Sequence, residues 1–149
     1  MRACGRPPTE LRLADDSELQ ELRPETSTAR HTIHLGNYIH ILFAKSDDME
    51  AISLAEKAIT LANDDERPLL AECHFYLFAY SPEHRKESGG ALKTLLADGV
   101  TTGDWSFEMN LERLRHEEDP RLELIKAVAQ TLADGDTSRL GTFEEWRSL

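Results

Sequence analysis

Pro68-Leu69-Leu70-Ala71-Glu72-Cys73-His74-Phe75-Tyr76-Leu77-Phe78-Ala79-Tyr80 is the stretch that decides the architecture. Wound as a helix, it carries apolar side chains on almost every azimuth, interrupted only by Glu72 and His74. A helix without a polar face belongs inside a protein, so this stretch predicts a central helix over 68–80 enclosed by others. Its start is marked by Asn63-Asp64-Asp65-Glu66-Arg67-Pro68, an acidic cap followed by proline in the first turn. Its end is marked by Ser81-Pro82. Cys73 lies within the apolar run and reads as a small core hydrophobe.

The flanking segments supply the enclosing layer. Upstream, Ile33, Tyr38, Ile39, Leu42 and Phe43 recur at helical spacing, predicting a helix from about Pro24 or Thr26 to Lys45. Asp47 and Glu50 have capping-box spacing and open a second helix to about Ala62. Its apolar arc is wide and rich in alanine, from Met49 through Ala51, Leu54, Ala55 and Ala58 to Leu61, which suits close packing against more than one neighbour.

Downstream, Ala91, Leu92, Leu95 and Leu96 define a helix over about 85–98, with Gly99 as a left-handed cap and Val100 placed to pack on Leu95. Gly89 and Gly90 permit close packing in its first turns. A helix from Trp105 to His116 carries Phe107, Leu111 and Leu114. Another starts at Asp119-Pro120 and ends at Gly135, with Leu122, Ile125, Val128, Ala129 and Leu132 inward. Thr142 and Glu145 repeat the capping-box spacing before a short last helix carrying Phe143 and Trp146. No segment sustains the alternation expected of a strand. The expected fold class is all-α.

The chain has 149 residues, a length at which a single domain buries roughly 70% of its unfolded surface without help from disulfides or metals. Residues 1–14 lack periodicity and read as a disordered leader, and a short helix is possible over 15–22. The expected single helical domain spans 15–149. No apolar run approaches the ~20 residues needed to cross a bilayer. Met1-Arg2-Ala3-Cys4-Gly5-Arg6-Pro7-Pro8 has no signal-peptide core, so a cytoplasmic location is expected. The net charge of −11 is spread evenly along the chain and opposes a phosphate backbone, so no nucleic-acid partner is expected.

Repeats follow from the pairing of helices. Leu35-Gly36-Asn37-Tyr38 resembles the Leu-Gly signature in the first helix of a tetratricopeptide repeat. The stretch 48–62 resembles the second, with Ala51 and Ala58 at the small-residue packing positions. The spacing departs from the family. The Gly36-to-Ala51 spacing is about one helical turn longer than usual, Ala91 follows Ala51 by more than the usual ~34 residues, Ala55 stands where a larger aromatic is usual, and Asn63 replaces the terminal proline. The resemblance covers residues 25–98 as helix pairs, with 104–149 as C-terminal capping helices, and implies a short right-handed superhelix. It further implies a concave groove for a protein or peptide partner, or a second copy of the chain, with Arg30, Asn37, His40, Glu72 and Tyr76 as its exposed lining. Asn37 falls at an asparagine used by family members that clamp a terminal carboxylate, but Ile33 stands where their lysine does, so that clamp is not expected.

Catalytic signatures were sought and set aside. Ser88-Gly89-Gly90-Ala91-Leu92-Lys93-Thr94 evokes a phosphate loop, yet Leu92 precedes the lysine and no strand leads in. Cys73 and His74 point about 100° apart on a helix and cannot act on each other. The acid pairs Asp15-Asp16, Asp47-Asp48 and Asp64-Asp65 stand at helix starts, where the macrodipole explains them. The alternative to a scaffold is a small helical-bundle metal-binding protein or enzyme using His31, His34, His40 and Glu72, but no repeated Glu-x-x-His pairing supports it. The expectation is a non-enzymatic scaffold with no cofactor and no metal.

Overall fold

The computed structural model describes residues 28–149 other than Asp104, with side chains from residue 35 onward. The expected leader and the possible helix over 15–22 lie outside the described residues. The described chain is all-helical and contains no strand. Seven α-helices follow one another: α1 Thr28–Ala44, α2 Asp48–Leu61, α3 Arg67–Tyr80, α4 Arg85–Ala97, α5 Glu108–His116, α6 Leu122–Asp134 and α7 Glu144–Arg147. Short 3-10 turns at Asp64–Glu66, Pro82–His84 and Thr137–Thr142 join some of them.

The central position of α3 is observed. Its most extensive packing is with α4 and α2, and α1 and α6 also lie against it. Phe75, Tyr76 and Phe78 are fully enclosed. Ala51, Ala55 and Ala58 are buried on α2, so backbones approach closely there. Gly36 plays a similar part on α1, facing α3 rather than α2: a methyl group at this position would overlap the Glu72 carboxyl. Gly89 lets α4 approach the Leu149 and Phe78 side chains, which would stand 2.8–2.9 Å from an added Cβ. Gly90 faces open space, so it has no such role.

Helix ends differ from the sequence reading in instructive ways. At Asp47 no side-chain cap forms. Its backbone N–H instead donates to Leu42 O, while Ser46, in the left-handed region at φ 66°, donates to Phe43 O. This Schellman closure of α1 uses the turn that the capping box would have needed. The reciprocal contact is found one turn later in sequence, where the Asn63 N–H donates to Glu66 Oε1 at 2.8 Å. Gly99 and Val100 close α4 as expected, through bonds to Leu96 O and Leu95 O. The Thr142–Glu145 box is likewise absent, because Glu145 is taken by Arg121. Residues 105–107 are not helical, and α5 begins only at Glu108.

The C-terminal helices do more than cap. In an open stack of helix pairs each pair touches only its neighbours. Here α5, from the third pair, also packs on α1, from the first. The face formed by α1 and α3 is thereby covered. Met49, assigned from the pattern to the apolar arc of α2, is 88% exposed.

Candidate functional site

Three of the residues expected along an exposed groove come together beneath this cover. His40 on α1 and Tyr76 on α3 face each other with ring centroids 6.3 Å apart, and Trp105 stands edge-on to His40 at 5.4 Å. The indole N–H of Trp105 donates to Tyr76 Oη at 3.2 Å. Phe107 packs against Phe75 at 4.1 Å and against Tyr76 at 5.8 Å. His40, Glu72 and Tyr76 are therefore buried, which corrects the expectation of an exposed lining. The physical reason is the aromatic pair Trp105 and Phe107, which enters the α1–α3 face ahead of α5. Asn37 is exposed as expected, and the side chain of Arg30 lies outside the described residues.

Burial sets the electrostatics. Among the described residues no hydrogen-bond or ionic partner compensates Glu72, and desolvation raises its pKa to about 8. The thiol of Cys73 is pushed up first by burial and then by neighbouring Glu72, and the Tyr76 phenol is raised for the same two reasons. A thiol so placed is a poor nucleophile. His40 is lowered by burial, partly offset by the Asn110 side chain beside it. Neither amide atom of fully buried Asn110, nor His40 Nδ1, has a hydrogen-bond partner of good geometry.

Around this cluster runs a polar clasp. Tyr80 Oη donates to Asn110 O at 2.9 Å. Arg113 forks onto both carboxylate oxygens of Asp48 at 2.8 and 2.9 Å and also donates to Phe43 O at 2.7 Å. Its guanidinium lies 4.5 Å over the Tyr80 ring, which in turn stacks on Phe43. The sequence gives no local signal for this clasp, since Asp48 and Arg113 are 65 residues apart. Exposed Met49 follows Asp48 in sequence, and exposed Met109 precedes Arg113 by one helical turn.

A second constellation escaped the sequence reading. His84 bonds Ser81 Oγ through Nδ1 at 2.7 Å and Glu56 Oε2 through Nε2 at 2.5 Å. The order serine–histidine–carboxylate invites a hydrolytic reading, but Ser81 is only 3% exposed and ends α3 through a backbone bond to Leu77 O. It ties the α3–α4 turn to α2. His74, lowered chiefly by burial, bonds Ser88 Oγ at 3.0 Å and fastens α3 to α4. Among the described residues no three His, Cys, Asp or Glu side chains converge as metal ligands, and the side chains of His31 and His34 are not among those described. No described helix is long and apolar enough to cross a membrane.

No family model, curated protein or solved structure matches the chain. The described residues form an all-helical fold in which Cys73, His40 and Ser81 are buried.

Proposed function

We propose that this protein is a non-enzymatic helical scaffold of the tetratricopeptide-like kind, binding a protein or peptide partner. The observation that carries the reading is the exposure of Met49 and Met109, large apolar side chains on α2 and α5, the two helices joined by the Arg113–Asp48 clasp. Methionine is flexible and polarizable, and its exposure on interaction surfaces lets one site adapt to varied apolar partners. Ile41 on α1 is exposed as well. The even acidic charge favours a partner whose contact face is basic and amphipathic. Burial of Cys73, His40 and Ser81 supports binding over nucleophilic chemistry, since none of these groups can reach a substrate as the chain is folded.

The test is a double substitution, Met49→Glu with Met109→Glu, in the full chain. Both sites face solvent, so the circular dichroism and melting transition should stay unchanged while crosslinked partner or self-association is lost. Identical crosslinked species from the variant and the parent would reject the surface.

A further inference from the structure

We propose that the α1–α3 face is a receptor for an amphipathic helix, and that Trp105 to His116 occupies it as an intramolecular competitor that can swing aside. This deepens the scaffold reading and rests on it. The segment is bound as a ligand would be. Two aromatic anchors, Trp105 and Phe107, enter first and rest on Tyr76 and Phe75. Leu111 and Leu114 follow at helical spacing and are buried. Arg113 then closes the contact on Asp48 and on the carbonyl at the end of α1. The occupant itself therefore specifies the chemistry of a partner: two aromatics, then leucines one turn apart, with an arginine placed to meet Asp48.

The same contact is poorly satisfied at its centre. The fully buried Asn110 amide lies beside His40, and among the described residues neither its two amide atoms nor His40 Nδ1 makes a hydrogen bond of good geometry. Such atoms regain water when α5 lifts, which lowers the cost of opening at this seam relative to the rest of the core. Both ends of the segment have turns in the left-handed region: Gly99 at φ 84° and Gly103 at φ 63° before it, and Glu118 at φ 54° after it. Glu118 closes α5 itself, its N–H donating to Arg115 O while the Asp119 N–H donates to Leu114 O. At the other clasp Arg121 holds Glu145 and the Phe78 carbonyl with no orphaned atom on its own side chain, although Arg85 Nε close by has no partner among the described residues.

Hydrogen exchange on the full-length chain gives the first arm. The α5 amides of Leu111 to Leu114 should exchange at least a hundredfold faster than those of Phe75 to Phe78 in α3, with little dependence on denaturant. Both sets exchanging together, with the same denaturant dependence, would overturn the proposal. The second arm uses a fluorescently labelled peptide with the sequence of residues 105–117, added to the full chain. Arg113→Ala loosens the resident helix but leaves Asp48 for the peptide's own arginine, so the variant should bind at least ten times more tightly than the parent. Equal binding, or none to either, would reject the receptor. If the peptide arm fails while the double methionine variant still loses its partner, the scaffold reading survives and this inference alone is lost.

Discussion

Glu72 is a carboxyl group whose folded environment favours the proton. Its pKa is raised from its ordinary value to about 8 by burial, so the folded state binds this proton more tightly than the unfolded chain does. The associated stability is fully present below the unfolded pKa and is lost as pH rises through about 8. A shift of this size corresponds to at most about 5 kcal/mol between the two limits. Urea denaturation at pH 5, 6.5 and 8 should show the parent losing stability relative to Glu72→Gln as pH rises, with the difference between the two curves isolating this residue. His40 and His74 act in the opposite sense, because burial lowers both: their contribution is lost as pH falls below their ordinary value near 6.5. At Gly89 the question is steric. Gly89→Ala gains helix propensity of about 1 kcal/mol but drives a methyl group to within 2.9 Å of the enclosed Phe78 ring and 2.8 Å of Leu149. A net loss of about 1–2 kcal/mol is expected, given that overpacking costs about 1–3 kcal/mol, and calorimetry of the variant measures it.

At the scale of elements, α5 has little apolar surface of its own beyond Leu111 and Leu114, and Arg113 adds a polar anchor to it. Arg113→Ala leaves Asp48 and the Phe43 carbonyl without their shared donor, and a loss of about 2–3 kcal/mol is expected in chemical denaturation. Arg113→Lys should recover little of it, because an ammonium cannot reproduce the two-pronged contact with Asp48. The helices themselves were legible in the sequence. Periodicity located α2, α3, α4 and α6 to within a few residues, and the continuous apolar circumference of α3 placed it at the centre. The caps were less legible. Asp47–Glu50 and Thr142–Glu145 have the right spacing, but backbone closure at Ser46 and the pull of Arg121 on Glu145 won over the local option. The late start of α5 has a similar origin: Trp105 and Phe107 gain more by lying on Tyr76 and Phe75 than by extending the helix.

For the whole molecule, the candidate site was legible only in its residues. His40, Glu72 and Tyr76 were picked out, and the structure does gather His40 and Tyr76 beneath Trp105, but their burial depends on a segment some thirty residues downstream of Tyr76 in the chain. Nothing in the spacing of residues 25–98 announces that the third helix pair folds back over the first. The position of α3 between two flanks has a practical outcome. One indole, Trp105, sits on the α1 side against Tyr76 and His40, while the other, Trp146, stands edge-on to Phe78 at 6.0 Å on the α4 side. Each flank thus has its own emitter. A protonated imidazole withdraws excitation from an adjacent indole, so in a Trp146→Phe background the remaining emission should dim as the solution is acidified below pH 6.5, and His40→Gln should abolish the dimming. The chain is thereby built with an optical gauge of the one seam where its first and third helix pairs meet.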